Sequence, residues 1–118
     1  MSNDDNKKTV AVEESSMAEN LILEGDLTIY QVLDIKDILQ TALSAAKEKL
    51  VPMRLDISTM IECDGAGVQL LLSCANSARA AGVDFVLHGI SDNLKKLFTT
   101  YGVMQHFIIA NQEINNDR

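Results

Sequence analysis

The segment from Met53 to Leu72 constrains this chain more than any other, because it sets a strand signal, a polar loop and a helix start in direct succession. Arg54–Ile57 is aliphatic with no breaker, which predicts a short strand. Asp64 immediately precedes an apolar run of helical period, the pattern of an N-cap carboxylate. Ser58 to Cys63 then reads as the connecting loop, with Met60 and Ile61 folded inward. A strand feeding a helix through such a loop is where α/β chains commonly place function, since free backbone N–H groups and the positive end of the helix dipole meet solvent there.

The flanking sequence repeats the alternation. Thr9–Val12 has strand composition, and Leu21–Leu23 gives a second strand that pairs with it as an edge hairpin. Val32, Ile35, Ile38, Leu39, Ala42, Leu43 and Ala46 recur at three- and four-residue steps, predicting a first helix that has ended before Pro52. A second helix carries Val68, Leu71, Leu72, Ala75 and Ala78 and closes at Gly82. Asp84–His88 is a further strand. Ser91 caps a third helix with Leu94, Leu97, Phe98 and Tyr101 inward, and His106–Ile109 is the last strand. Strands and helices at this spacing predict an α/β fold: a four- to five-stranded, mostly parallel sheet with an edge hairpin and three main helices on one face. The 118 residues suffice for one core. That core is expected over residues 9 to 110, between a disordered tail at 1–8 and a polar tail at 111–118.

Composition narrows the function. Lys plus Arg number 10 against 17 Asp plus Glu, a formal charge of −7. This disfavours nucleic acid, whose binding rests on neutralised phosphates, and equally an anionic membrane surface. Aromatic residues make up only 4%, too few for a base-stacking platform. No apolar run approaches the roughly 20 residues of a spanning helix, and no signal peptide is visible. Cys63 and Cys74 have neither CxxC spacing nor a His cluster beside them, so a reducing, cytoplasmic setting is expected.

Catalytic patterns are absent from the reading. Gly65-Ala66-Gly67 lacks the third glycine of a dinucleotide loop, since Leu70 stands at that position, and it lacks a phosphate-binding Lys. His88 and His106 have no second ligand at metal spacing and read as structural or surface histidines. Cys63 precedes a helix start, a place that lowers a thiol pKa, yet it has no base or cationic partner and reads as an inert thiol. Neither enzymatic activity, cofactor nor metal is expected.

Taken together, Leu23-Glu24-Gly25-Asp26-Leu27, Leu55-Asp56-Ile57-Ser58, the run Asp64 to Leu72, and Gly89-Ile90-Ser91 with Leu94 and Leu97 resemble the STAS domain. This is the domain of bacterial anti-sigma-factor antagonists and of sulfate-transporter tails. The Asp-x-Ala-Gly-x-Gln-Leu-Leu variant, with Leu27–Tyr30 ahead of the first helix, looks most like stand-alone STAS proteins linked to chemotaxis clusters. The resemblance implies a non-catalytic, cytoplasmic module that binds a signalling protein, an anti-sigma factor or kinase-like partner. The implied surface comprises Ser58, Thr59, Asp64, Gly65, Ala66, Gly67 and Gln69. In antagonists of this family a Ser or Thr follows the loop Asp and is phosphorylated; here that residue is Gly65, leaving Ser58 or Thr59 as substitutes. The alternative the resemblance allows is a cytosolic STAS subunit of an ABC-type lipid-transport complex.

Overall fold

The structure, a computed structural model, describes residues 18–110. In chain order the elements are β1 (Glu19–Ile22), β2 (Gly25–Leu27), α1 (Val32–Lys49), β3 (Met53–Asp56), β4 (Met60–Cys63), α2 (Gly65–Ala81), β5 (Phe85–His88), α3 (Asp92–Thr100), a 3-10 turn (Met104–His106) and β6 (Ile108–Ile109). Four strands form one parallel sheet in the order β1-β3-β5-β6. Each crossover steps the same way across the sheet, and right-handed crossovers then put all three helices on one face.

The strands show why that face is the inner one. Met53 and Leu55 in β3, and Phe85 and Leu87 in β5, are buried, while Arg54 is exposed and Asp56, Val86 and His88 are half-buried. Alternate side chains therefore enter the core and the rest line a second face that no helix among the described residues covers. Leu39, Ala42 and Ala46 of α1 and Val68, Leu71, Ala75 and Ala78 of α2 complete the core. Phe98 stacks on Phe107 with ring centroids 4.6 Å apart, fastening α3 to the segment that enters β6.

Helix ends follow local chemistry. Asp64 and Ser91 cap α2 and α3 by accepting from the Gly67 and Leu94 amides. Gly82 ends α2 in the left-handed conformation (φ 76°). At the end of α1 the same conformation falls on Leu50 (φ 61°), whose side chain is 91% exposed. A side chain pays for that geometry where glycine does not.

Several expectations are corrected. Ser58 to Cys63 is not loop throughout: Met60–Cys63 forms β4, which pairs in parallel with β2 as a second, two-stranded sheet. Met60 packs against the core, but Ile61 points outward and is 78% exposed. The strand expected at Leu21–Leu23 begins two residues earlier, at Glu19. His106 and Phe107 precede the last strand, whose paired residues are Ile108 and Ile109. Tyr101, expected inward, is exposed, because α3 stops at Thr100 and Tyr101 turns away as its C-cap. Thr9–Val12 and its hairpin, and the tails at 1–8 and 111–118, lie outside the described residues.

Candidate functional site

The site is built where the β2–β4 ribbon meets the first turn of α2. Asp64 ties the two together. Its Oδ1 accepts from the Gly67 amide at 3.0 Å and its Oδ2 from the Ile29 amide at 3.0 Å, while its own amide donates to the Leu27 carbonyl at 3.4 Å. One carboxylate thus caps α2 and holds the loop that enters α1. These amides, Gly67 first and Ile29 next, keep the Asp64 carboxyl below the usual carboxylate range. The loop braces itself as well. Gln31 Oε1 accepts from the Thr28 amide at 2.9 Å and the Thr28 hydroxyl at 2.7 Å, and Thr28 Oγ1 accepts from the Tyr30 amide at 3.3 Å.

Gly67 is buried beneath this clasp. A Cβ there would run into the Leu27 carbonyl oxygen and stand 2.8 Å from Cys63 Sγ, so only glycine lets α2 close onto the ribbon. Gly65 faces outward. A Cβ at Gly65 would fall 2.5 Å from the hydroxyl of Tyr101, so the tyrosine tip fills the place of a residue-65 side chain. Ala66 is half-buried and Gln69 is exposed.

Ser58 and Thr59 are exposed but sit at the far end of β4 from Asp64. Up to about 16 Å of extended chain separates Thr59 from Asp64, at ~3.3 Å per residue. The Ser58 amide donates to Asp56 Oδ1 at 2.9 Å in a tight turn, and the Thr59 carbonyl accepts from Gly25 at 3.3 Å. The residues singled out by sequence therefore form two groups: Ser58 and Thr59 at one end of the ribbon, and Asp64 to Gln69 at the other.

The chemistry of the site is that of a surface. Burial, and secondarily the Asp64 charge, push the Cys63 thiol up to about 11, opposite to the lowering a helix start could give. Burial likewise raises Cys74 to about 11. Neither thiol offers a thiolate near neutral pH. A groove of about 190 Å³ beside Ile61, between β4 and α3, is smaller than the roughly 300 Å³ at which small-molecule pockets begin. Among the described residues no group of His, Cys, Asp and Glu could hold a metal, and no helix is long and apolar enough to cross a membrane. His88 Nε2 is buried without a hydrogen-bond partner among the described residues, and the His106 carbonyl accepts from Arg79 on the surface.

Exposed apolar residues stand instead on the elements that meet here. Ile29, Tyr30 and Leu33 from the α1 entry, Ile61 from β4, and Tyr101 over Gly65 are five of the nine large hydrophobic residues exposed on the described surface. Sequence reasoning missed this grouping. Ile29 and Tyr30 fall outside any helical or strand period, and Ile61 and Tyr101 read as core.

Comparison with known proteins places the architecture. The family model described as "Mlab, STAS domain" matches residues 10–110, nearly the whole chain. The chain belongs to the STAS domain family. Among solved structures, this STAS domain is similar to the anti-sigma factor antagonist SpoIIAA in its unphosphorylated form. That match has 19% identity over 82% of this chain and 84% of that one, with a TM-score of 0.59. A putative anti-sigma factor antagonist from Thermotoga maritima is 15% identical over 80% and 82% of the two chains, with a TM-score of 0.66. A sulfate transporter family protein from Wolinella succinogenes is 19% identical over 78% and 75%, with a TM-score of 0.60. At these identities the likeness shows the fold. Among curated proteins nothing matches.

Proposed function

We propose that this STAS domain is a non-catalytic protein-docking module of a bacterial signalling pathway. It acts in the cytoplasm in the manner of an anti-sigma-factor antagonist and docks through the α2 start, β4 and the loop entering α1. The observation that carries the reading is that exposed apolar residues stand on the elements that meet at Asp64 and Gly65, where hydrogen bonds tie the loop entering α1 to the start of α2. Large exposed apolar patches on small domains mark interaction sites.

The face has no phosphorylation switch at the family position. SpoIIAA is known in both unphosphorylated and phosphorylated forms. In this chain Gly65 has no hydroxyl, and Tyr101 stands over it. A phosphate on Ser58 or Thr59 would sit at the far end of β4, away from the α2 amides that best receive one. Docking is therefore constitutive, and regulation falls to the partner or to the chain's supply.

A second reading, a STAS subunit seated on the cytosolic ATPase of an ABC-type lipid-transport complex, is favoured by the Mlab description of the matched family. It uses the same face and differs in the partner.

A photocrosslinking amino acid at Tyr30, compared with one at Leu50 at the α1 C-terminus, tests the docking face in the native cell. Both positions are exposed, at 87% and 91%. The account expects one dominant protein adduct from position 30 and none from position 50, and identification of the adduct distinguishes a signalling partner from a transport ATPase. Equal adducts from both positions, or an adduct from position 50 alone, would remove the site from this face.

A further inference from the structure

We infer that the docking face takes a cationic amphipathic protein segment, with apolar side chains entering between Tyr30, Ile61 and Tyr101 and Lys or Arg side chains lying on the acidic margin. This rests on the docking reading above and adds the chemistry of the partner.

Two features of the face lead there. The first is the apolar strip itself. Ile29, Tyr30 and Leu33 are 59%, 87% and 76% exposed, and Ile61 is 78% exposed. Their elements converge on the start of α2. Asp64 holds Ile29, Gly65 lies under Tyr101, and Ile61 belongs to the strand that runs into Asp64.

The second feature is the charge around the strip. Across residues 24–36, 60–65 and 92–101, which carry it, the charged side chains are Glu24, Asp26, Asp34, Glu62, Asp64 and Asp92 against Lys36, Lys95 and Lys96. Asp26, Asp34 and Glu62 are exposed and belong to the same ribbon and first helical turn as the apolar residues, while Glu24, also exposed, stands at the Thr59 end of the ribbon. Apolar side chains bordered by carboxylates complement apolar side chains bordered by cations. Tyr30 and Tyr101 add two aromatic rings, whose faces attract guanidinium and ammonium groups. Tyrosine and arginine are also the residues that most often carry binding energy at interfaces.

The same charges argue against two other occupants. An anionic bilayer would be repelled by this margin. A second copy docked through a two-fold axis would set the face against itself and oppose carboxylates to carboxylates.

The test is a titration of the 15N-labelled full chain with two helix-forming peptides of identical leucine face, one bearing Lys and Arg on its flanks and the other Glu. The expected result is that the cationic peptide shifts the amides of Ile29, Tyr30, Leu33, Ile61, Gly65 and Tyr101. Tyr30→Ala should weaken it about tenfold, the loss of one good anchor. Glu62→Lys should weaken it as well, and added salt should reduce wild-type affinity. Tyr30 and Glu62 are exposed, so both variants keep the fold.

Binding of the Glu peptide to these same amides as tightly would overturn the charge argument while leaving the docking face standing. Absence of shifts there with either peptide, or cationic binding that Tyr30→Ala leaves intact, would overturn both. Flotation of the chain with phosphatidylserine vesicles, or a dimer in sedimentation that Tyr30→Ala dissociates, would assign the face to a membrane or to a second copy and overturn the proposal.

Discussion

Gly65 and Gly67 lie two residues apart in the first turn of α2 and have neighbours of different kinds. Inward, Gly67 presses on the Leu27 carbonyl, a backbone atom fixed in the β2–β4 ribbon. Outward, Gly65 meets only the tip of Tyr101, an exposed side chain free to swing aside. The difference separates what the fold requires from what a partner would read. The inner stripe, Gly67 and Leu71, is set by packing. The outer stripe, the exposed Gln69 and Gly65 beneath the Tyr101 tip, lies at the surface on a rigid support.

Substitutions along the two stripes can break this contrast. Leu71 is fully buried, so Leu71→Ala should cost about 2–5 kcal/mol in urea denaturation. A loss below about 0.5 kcal/mol, the range of surface sites, would place that stripe outside the core. Gly67→Ala should cost about 3 kcal/mol, the upper end for overpacking, because a carbonyl in a paired strand cannot yield as a side chain can. A near-neutral Gly67→Ala would mean that α2 slides freely on the ribbon.

Asp64, between the stripes, gives a pH signature. Its folded carboxyl titrates below the ordinary value of 3.8, held down first by the Gly67 amide and then by Ile29. Protons bind the unfolded chain more readily, so its contribution is fully present above that value and disappears as pH falls through the lowered folded pKa. The stability gap between wild type and Asp64→Ala should therefore be constant near neutrality and shrink in acid. A gap unchanged down to the acid transition would show that the carboxylate charge plays no part. Gly65→Ala should be the mildest change, within about 0.5 kcal/mol, since Tyr101 can rotate away. A large loss would make the Tyr101 contact structural.

Much of the fold was legible from the sequence. The periods of α1 and α2, the caps Asp64 and Ser91, and the aliphatic β3 and β5 carry their own signals, and the family resemblance agreed with them. The β2–β4 ribbon was not legible. Gly25–Leu27 contains a glycine and an aspartate, and Met60–Cys63 a glutamate and a cysteine, so neither shows strand alternation. Their pairing is imposed by the contact between them, which a local reading does not contain. That missed strand is why Ser58 and Thr59 seemed to neighbour Asp64. Tyr101 misled for a related reason: its helical phase pointed inward, but the helix ends one residue before it. Asp64 and Gly65 were found at the α2 start, whereas the apolar strip around them appears only when the ribbon and both helix starts are brought together.

The most direct measurement is the affinity of Gly65→Glu for the protein captured at position 30, by calorimetry alongside wild type and Leu50→Glu. The Gly65→Glu side chain displaces Tyr101 and adds a carboxylate beside Asp64, where a partner would have to fit, while an acidic residue in a helix's first turn is tolerated. The account predicts a loss of about tenfold or more for Gly65→Glu, with an unchanged melting temperature and wild-type affinity for Leu50→Glu. Wild-type affinity in a well-folded Gly65→Glu protein would contradict it and move the docking surface away from the start of α2.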